Sequence, residues 1–250
     1  MEIIKRPSIS SSYEHLVKVV WNCGNRITDQ RKDTVRSLEN IWIEIESDKI
    51  DYPPFCPIAQ PIAEYFVNGL IDKKTAMRVG IEHDYGYGAR IRENNALENC
   101  IEILSENPNS RRANLPIYNS FDPEQSVNGN EVPCVINAIP TIKNNKLDLT
   151  VFMRSNDVVN AYPTDAYGFR RLQELIAKEL NRDVGSYYHF IKNAHIIEHS
   201  SEDWIKNTLV PGRYEKIFVC AECGNLTAKT HFYKRTPGEL LCKNCYSKIL

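Results

Sequence analysis

Long apolar stretches are missing from this sequence. No segment approaches the roughly 18 to 20 apolar residues that cross a bilayer, and the N-terminal MEIIKRPSIS has no apolar signal-peptide core. We therefore expect a cytoplasmic protein without membrane association. An excess of charge is missing too, because 31 Lys and Arg balance 32 Asp and Glu. This balance excludes the broad basic field that drives non-specific nucleic-acid binding, and no repeat or low-complexity tract is visible.

Eight cysteines are present, and they divide into two groups. Disulfides rarely persist in the cytoplasm, so metal ligation, nucleophilic catalysis or core packing are the roles to consider. Two CxxC pairs near the C-terminus match the spacing at which four thiolates surround one Zn²⁺, whereas two disulfides or free thiols are the alternative. Four thiolates leave no open coordination position, which predicts a structural rather than a catalytic zinc. The predicted ligands are Cys220, Cys223, Cys242 and Cys245.

Patterns along the chain predict an α+β fold. Helical spacing of apolar residues occurs over 12–22, 61–70, 94–106 and 166–181, whereas residues 24–36 have no periodicity and predict a basic loop. Strand-like runs cover 41–47, 112–118, 132–142, 146–155 and 184–197, and most of them look antiparallel. We expect Asn144 and Asn145 to form a tight hairpin turn. The onset of the paired cysteines predicts a catalytic domain at 1–212 and a zinc ribbon at 213–250.

Four blocks, in this order, resemble the thymidylate synthase superfamily. They are SRRANLPIY (110–118), VPC (132–134), VFMRSNDVVNAYPTD (151–165) and NAHIIEH (193–199). The similarity runs from about residue 20 to 200, and WNCGNRIT (21–28) and YGYGARIR (85–92) look like the shorter archaeal-type branch. The resemblance implies a large mixed sheet packed with helices and a homodimer formed through that sheet.

Cys134 taken alone would be a buried core thiol. The resemblance instead implies that its thiolate adds to C6 of a pyrimidine nucleotide. C5 then becomes nucleophilic enough to attack the methylene carbon of 5,10-methylenetetrahydrofolate, the implied carbon donor.

A cluster of basic residues is implied at the nucleotide phosphate. Arg26, Arg154 and Ser155 match the family's phosphate-binding positions, and Arg111 and Arg112 are expected to reach in from a partner subunit. The alternative for Arg111 and Arg112 is an ordinary surface charge cluster. Arginines near Cys134 are also expected to lower the pKa of its thiol.

Other positions take their roles from the resemblance alone. Glu64 matches the general acid/base, although it could be an ordinary solvent-facing helix residue. Tyr87 matches a tyrosine that lines the active site, and Asp157 an acidic residue that meets the pterin ring of the folate. His195 matches a histidine that binds the sugar, whereas a lone histidine in a strand is usually structural.

Two departures from the family pattern bear on the substrate. Asp165 stands where thymidylate synthases have an asparagine that reads uracil, and a carboxyl sharing a proton with N3 suits cytosine instead. In the family this exchange marks hydroxymethylases of cytosine nucleotides, in which water captures the methylene intermediate. Ile197 replaces a tyrosine that helps to bind the sugar, which leaves ribose and deoxyribose open, with deoxyribose favoured.

We therefore expect hydroxymethylation of dCMP or CMP. A thymidylate synthase acting on dUMP and a dCMP C5-methyltransferase stay open as alternatives. So does a non-catalytic scaffold that binds nucleic acid or protein through its zinc ribbon, although this leaves Cys134 and Arg154 without a purpose.

Overall fold

A mixed β-sheet forms the centre of the molecule. The computed structural model describes residues 2–46, 49–73 and 86–209 and, after them, four short strands. Within this part the main sheet has eight strands. Across it lie β1 (Glu2–Arg6), β3 (Thr34–Ile45), β8 (Asp183–Ile197), β6 (Lys146–Met153), β5 (Val135–Lys143) and β4 (Leu115–Pro116), while β2 (Asn25–Thr28) pairs with β3 and β7 (Asn156–Asp157) pairs with β8.

Helices connect and cover the strands. They are α1 (Ile9–Cys23), α2 (Gln60–Ile71), α3 (Tyr87–Arg90), α4 (Ala96–Glu106), α5 (Asp122–Val127), α6 (Tyr162–Glu179) and α7 (Glu198–Leu209). Ser8 caps α1 by accepting a hydrogen bond from the main-chain nitrogen of Ser11. The predicted apolar stripe of α6 is buried at Phe169, Leu172 and Ile176, and α6 contacts β6 and β8. None of the described helices combines the length and apolarity that a membrane span needs.

The two faces of the sheet differ in burial. Along β8, Tyr187, His189 and Ile191 are fully buried, on the face packed against α1 and α6. On the opposite face lies an outer aromatic row, consisting of Trp42, Phe152, Tyr188 and Phe190, in which every side chain is only partly buried. These four rings pack against one another with centroids 5.8–6.4 Å apart.

The structure confirms the α+β class and corrects several details. Strands β1 and β3, β6 and β8, and β7 and β8 run parallel, so the antiparallel appearance of the sequence was only partly right. Only residues 29–33 of the predicted basic loop over 24–36 form a turn, since β2 pairs with the start of β3 on either side of it. The predicted strand over 112–118 shrinks to two residues, Leu115 and Pro116. Asn144 and Asn145 form the predicted hairpin turn, with φ values of 51° and 63°.

Four short strands follow α7. They are β9 (Ile217–Val219), β10 (Leu226–Ala228), β11 (Phe232–Thr236) and β12 (Glu239–Cys242), and they form two antiparallel pairs separate from the main sheet. Cys220 and Cys223 fall between β9 and β10 in the sequence. The boundary near residue 212 and the zinc ribbon stay predictions.

Candidate active site

Cys134 lies immediately before β5, next to a β-bulge between Val135 and Asn137. Its carbonyl oxygen accepts a hydrogen bond of 2.9 Å from the main-chain nitrogen of Arg154, which joins the start of β5 to the end of β6. The Cys134 side chain is half-buried against the core. A bulge beside such a residue re-aims the side chain relative to the regular strand.

Arg154 holds the loop that carries Cys134. Its Nε donates to the carbonyl oxygen of Pro133 and its Nη2 to that of Val132, each at 2.9 Å. Burial raises the pKa of the Cys134 thiol, and the charges of Arg154 and Arg31 act in the opposite direction. The expectation that arginines lower this pKa was therefore right about their effect and wrong about the outcome, because desolvation outweighs them.

Asp165 lies in the first turn of α6, half-buried at the wall of a cavity. Asn156 in β7 donates from Nδ2 to Asp165 Oδ2 at 2.7 Å. Burial raises the pKa of Asp165 to about 7, although the hydrogen bond from Asn156 lowers it, and the nearby charge of Asp157 raises it further. The charge of Asp165 also raises the pKa of Cys134. The thiol and the carboxyl, 31 positions apart in the sequence, are thus brought into one electrostatic environment.

Ser155, Asp157 and His195 lie together because β7 pairs with the end of β8. Ser155 Oγ is 3.2 Å from His195 Nδ1. The carboxylate of Asp157 accepts hydrogen bonds from the main-chain nitrogens of Val159 and Asn160 and from the Asn160 amide. Asp157 therefore shapes the turn that leads into α6, and both of its oxygens already have partners within the turn.

A cavity of about 350 Å³ adjoins Asp165. Its walls come mostly from α2, α3 and α6, and Tyr87 is among the lining residues, while its role in an active site stays a prediction. Close approach of α2 and α6 is allowed by Gly168, where an added Cβ would already touch Leu70 at 3.4 Å. The residues that line it include Phe66, Leu70, Tyr87, Asn160, Asp165 and Phe169. A ligand with a large apolar surface suits such a mostly apolar space with one carboxyl at its edge.

Glu64 and Arg26 have partners that the sequence did not indicate. Glu64 in α2 accepts a hydrogen bond from the hydroxyl of Tyr167, and it is absent from the cavity lining among the described residues. Arg26 in β2 forms an ion pair of 2.8 Å with Glu198, which Arg36 also approaches, at 3.1 Å. The structure thus places an in-chain carboxylate at the predicted phosphate-binding arginine.

Arg111 and Arg112 are exposed on the segment after α4. Together with Ser110, Asn109 and Asn107 they line a separate surface concavity. Within one chain the described residues do not join them to the cavity beside Asp165, and their role in a partner's site stays a prediction. The metal prediction likewise lies outside the described residues, except that Cys242 ends β12.

The most informative residue that sequence reasoning missed is Asn156. It is 1% exposed and contacts Asp165, yet a single asparagine in the RSND block carries no pattern of its own. Only its position in a block that already contained Arg154, Ser155 and Asp157 could have indicated it.

Comparisons with known proteins agree on one family. A sequence model described as Thymidylate synthase matches residues 68–211. A protein of Methanosarcina acetivorans named "Putative thymidylate synthase" is 31% identical over 207 residues, 81% of this chain and 91% of that protein. A protein of the same name from Methanocaldococcus jannaschii is 30% identical over 217 residues, 82% and 95% of the two chains.

Among solved structures, thermostable thymidylate synthase A from Bacillus subtilis matches with a TM-score of 0.64 and 16% identity, over 87% of this chain and 90% of that one. At this identity the match shows the fold alone.

Proposed function

This chain belongs to the thymidylate synthase family, and we propose that it hydroxymethylates C5 of a cytosine nucleotide, dCMP or CMP, with Cys134 as nucleophile. The observation that carries the choice of base is the carboxyl of Asp165 at the cavity wall, with a pKa of about 7. A carboxyl with such a pKa holds its proton for much of the time at neutral pH. Neutral Asp165 can therefore donate to one base atom and accept from the next.

Cytosine offers an acceptor at N3 and a donor at N4, a pattern that a carboxyl complements when its proton is on the oxygen that faces N3. Uracil offers the reverse pattern, so an ionised Asp165 would face the O4 oxygen with a second acceptor. An unpaired acceptor contact of this kind costs about 1–3 kcal/mol when buried. These contacts support cytosine as the base.

The proposed chemistry assigns a task to each residue. Cys134 adds its thiolate to C6, Asp165 keeps a proton at N3 as negative charge moves toward it, and Arg154 holds the loop of Cys134 in place. Methylenetetrahydrofolate would supply the one-carbon unit and leave as tetrahydrofolate, C5 loses its proton, and water adds to the exocyclic methylene before the Cys134 thiolate leaves C6. We assign the ring system of the folate to the cavity beside Asp165, where Phe66, Tyr87 and Phe169 offer apolar walls, and place Asp157 near the pterin.

We further assign the phosphate to Arg26, Arg154 and Ser155 and the sugar to His195. The contact of Ser155 with His195 supports one continuous polar wall for phosphate and sugar. Glu64 is proposed as the residue that moves protons, through the hydroxyl of Tyr167, with which it shares a hydrogen bond. Ile197 leaves the sugar undecided, and we favour deoxyribose.

A substrate panel tests the proposed function. Purified protein is incubated with methylenetetrahydrofolate and with dCMP, CMP or dUMP, each labelled with tritium at C5, and product mass and dihydrofolate absorbance are followed. We expect tritium release and a hydroxymethyl product with a cytosine nucleotide and no dihydrofolate. Dihydrofolate formed with dCMP would indicate a methyltransferase, and no reaction with any nucleotide would indicate a scaffold.

The second candidate is a thymidylate synthase that converts dUMP to dTMP. The names of the archaeal relatives favour it, and it accounts for every proposed residue except Asp165. In the panel, dihydrofolate formed with dUMP alone would replace our proposal by this one.

We also propose a homodimer formed through the outer aromatic row. Trp42 and Phe190 are paired across β3 and β8, Phe190 and Phe152 across β8 and β6, and Ile3, 54% exposed, extends the row on β1. A contiguous apolar surface of this kind is typical of a subunit interface. A partner bound here could bring Arg111 and Arg112 into the neighbouring site.

Trp42→Glu tests this interface. We expect the mass measured by sedimentation equilibrium to fall to half. In a dimer, the substitution would bury two like charges, one from each subunit, at the two-fold axis or in the apolar row beside it. Activity should fall in parallel if Arg111 and Arg112 act in the partner's site. Phe121→Glu is the control, since Phe121 is 69% exposed on the segment before α5 and should leave the mass unchanged. A Trp42→Glu protein with unchanged mass would refute the interface.

A further inference from the structure

A buried polar chain leads from the core to Asp165. Tyr187 Oη is 2.7 Å from His189 Nδ1, and His189 Nε2 is 2.8 Å from Met153 Sδ. Asn156 Nδ2 lies 3.2 Å from the same sulfur and 2.7 Å from Asp165 Oδ2. All the members between the two ends are fully or almost fully buried.

The sulfur of Met153 determines which group donates in each hydrogen bond of this buried row of polar side chains. A thioether has no proton to give, so both nitrogens that face it must be donors. His189 therefore carries its proton on Nε2 and accepts from Tyr187 on Nδ1, as a neutral ring. Burial, which lowers the pKa of His189 to about 3, keeps it neutral.

The same constraint fixes the amide of Asn156. Its nitrogen must point at the sulfur and at Asp165, although this leaves its Oδ1 buried without a hydrogen-bond partner among the described residues. The reverse orientation would set the amide oxygen against the sulfur. Asp165 Oδ2 is thus obliged to accept, whereas Oδ1 receives no hydrogen bond from the described residues.

We infer that Asn156 decides which oxygen of Asp165 carries the proton and is thereby a specificity-determining residue for the base. A carbonyl-type oxygen accepts better than a hydroxyl oxygen, so the hydrogen bond to Oδ2 directs the proton to Oδ1. A carboxyl protonated on one oxygen matches cytosine, and one protonated on the other matches uracil. If the proton stays on one oxygen of Asp165, the site binds one base. If the proton can be on either oxygen, the site binds both bases.

This inference rests on the proposed function for the identity of the favoured base, but not for the effect of Asn156. Other groups that act on Asp165 are Asp157 in β7, Cys134 before β5 and Tyr187 in β8. Of the residues in hydrogen-bond contact with the Asp165 carboxyl, Asn156 is the donor that the structure describes.

The test uses Asn156→Leu, which keeps the approximate volume and removes the donor. Gln173→Leu is the matched control, because Gln173 is equally buried and its partners, main-chain oxygens such as that of Leu147 at 2.7 Å and Arg170 Nη1 at 2.9 Å, do not include Asp165. The carboxyl of Asp165 is titrated by NMR on protein labelled with ¹³C-aspartate, its signal being assigned through its loss in Asp165→Asn. The ratio of kcat/KM for dCMP to that for dUMP is measured on the same proteins.

In Asn156→Leu the midpoint of Asp165 should rise from near 7 by about one to two pH units, as expected for loss of a hydrogen bond to a charged group. The base ratio should move toward one by roughly tenfold or more. Gln173→Leu should change neither. Met153→Leu is a volume-conserving change that frees the Asn156 amide to rotate. It should also move the base ratio toward one, and it tests the inference even if Asn156→Leu fails to fold.

An unchanged midpoint and ratio in the Asn156 and Met153 variants would overturn the inference and leave the proposed function standing. A wild-type protein that prefers dUMP would overturn the proposed function. A narrowed ratio in Asn156→Leu would still support the role of Asn156 in that case.

Discussion

Replacement of Cys134 by alanine should lower turnover of the cytosine nucleotide by at least about 10⁴-fold, the scale seen when a covalent nucleophile is removed. Without an adduct at C6 the pyrimidine C5 is too poor a nucleophile to attack the methylene carbon. Tritium exchange at C5 should disappear to the same extent, because it requires the same adduct. Binding of the nucleotide, followed by calorimetry, should change far less, since phosphate and base contacts persist.

Cys100→Ala provides the control for loss of a thiol. Cys100 is buried in α4, and burial raises its pKa to about 12, so it has no reactive thiolate at neutral pH. We expect its variant to keep wild-type exchange. Exchange that persists in Cys134→Ala would remove the foundation of the proposed mechanism.

Exchanging Asp165 for asparagine should change the preferred base. Unlike a carboxyl, the amide has no proton to share with N3 of cytosine, and with its oxygen toward N3–H and its nitrogen toward O4 it complements uracil. We expect the ratio of kcat/KM for dUMP to that for dCMP to rise about 100-fold or more, because a mismatched buried donor or acceptor on the substrate is strongly rejected. Asp157→Asn is the control, because it alters a neighbouring carboxylate. We expect this variant not to reverse the preference between dCMP and dUMP.

The pH profile gives a second measure of the same variant. Cytosine turnover needs a protonated Asp165 and a Cys134 thiolate, so kcat/KM should rise up to about pH 7, level off as Asp165 ionises with its pKa of about 7, and fall above the raised pKa of the thiol. In Asp165→Asn the rise should continue past pH 7 to the pKa of Cys134. A plateau that stays near pH 7 in this variant, with an unchanged base ratio, would show that position 165 does not read the base.

Local patterns predicted much of the fold. The apolar stripe of α6 and the alternation along β8 carry their own signal, because each buries one face against the core. Local patterns do not reveal strand direction, because apolar and polar residues alternate in the same way in parallel and antiparallel pairs. The sequence of β2 also looks like a loop, because all four residues are exposed and only pairing with β3 makes them a strand.

Sequence position alone shows which residues of the candidate site are neighbours only where they share a block. Arg154, Ser155 and Asp157 are close in sequence and lie close in the structure. The ion pair of Arg26 and Glu198 spans 172 positions, and nothing near either residue indicates it. The pKa of Asp165 depends on burial of its carboxyl beside Asn156 and Asp157, which composition and spacing do not reveal.

Glu198 gives the resting protein an internal counterion. It forms ion pairs with Arg26 and Arg36 and has a side chain only 12% exposed. If Arg26 binds the phosphate as proposed, an incoming phosphate must first displace the carboxylate of Glu198 from this guanidinium. Inorganic phosphate and sulfate make few other contacts that could compensate for the lost ion pair, whereas a nucleotide also makes contacts through its base and sugar. The protein would thus stay selective in a cell crowded with small anions.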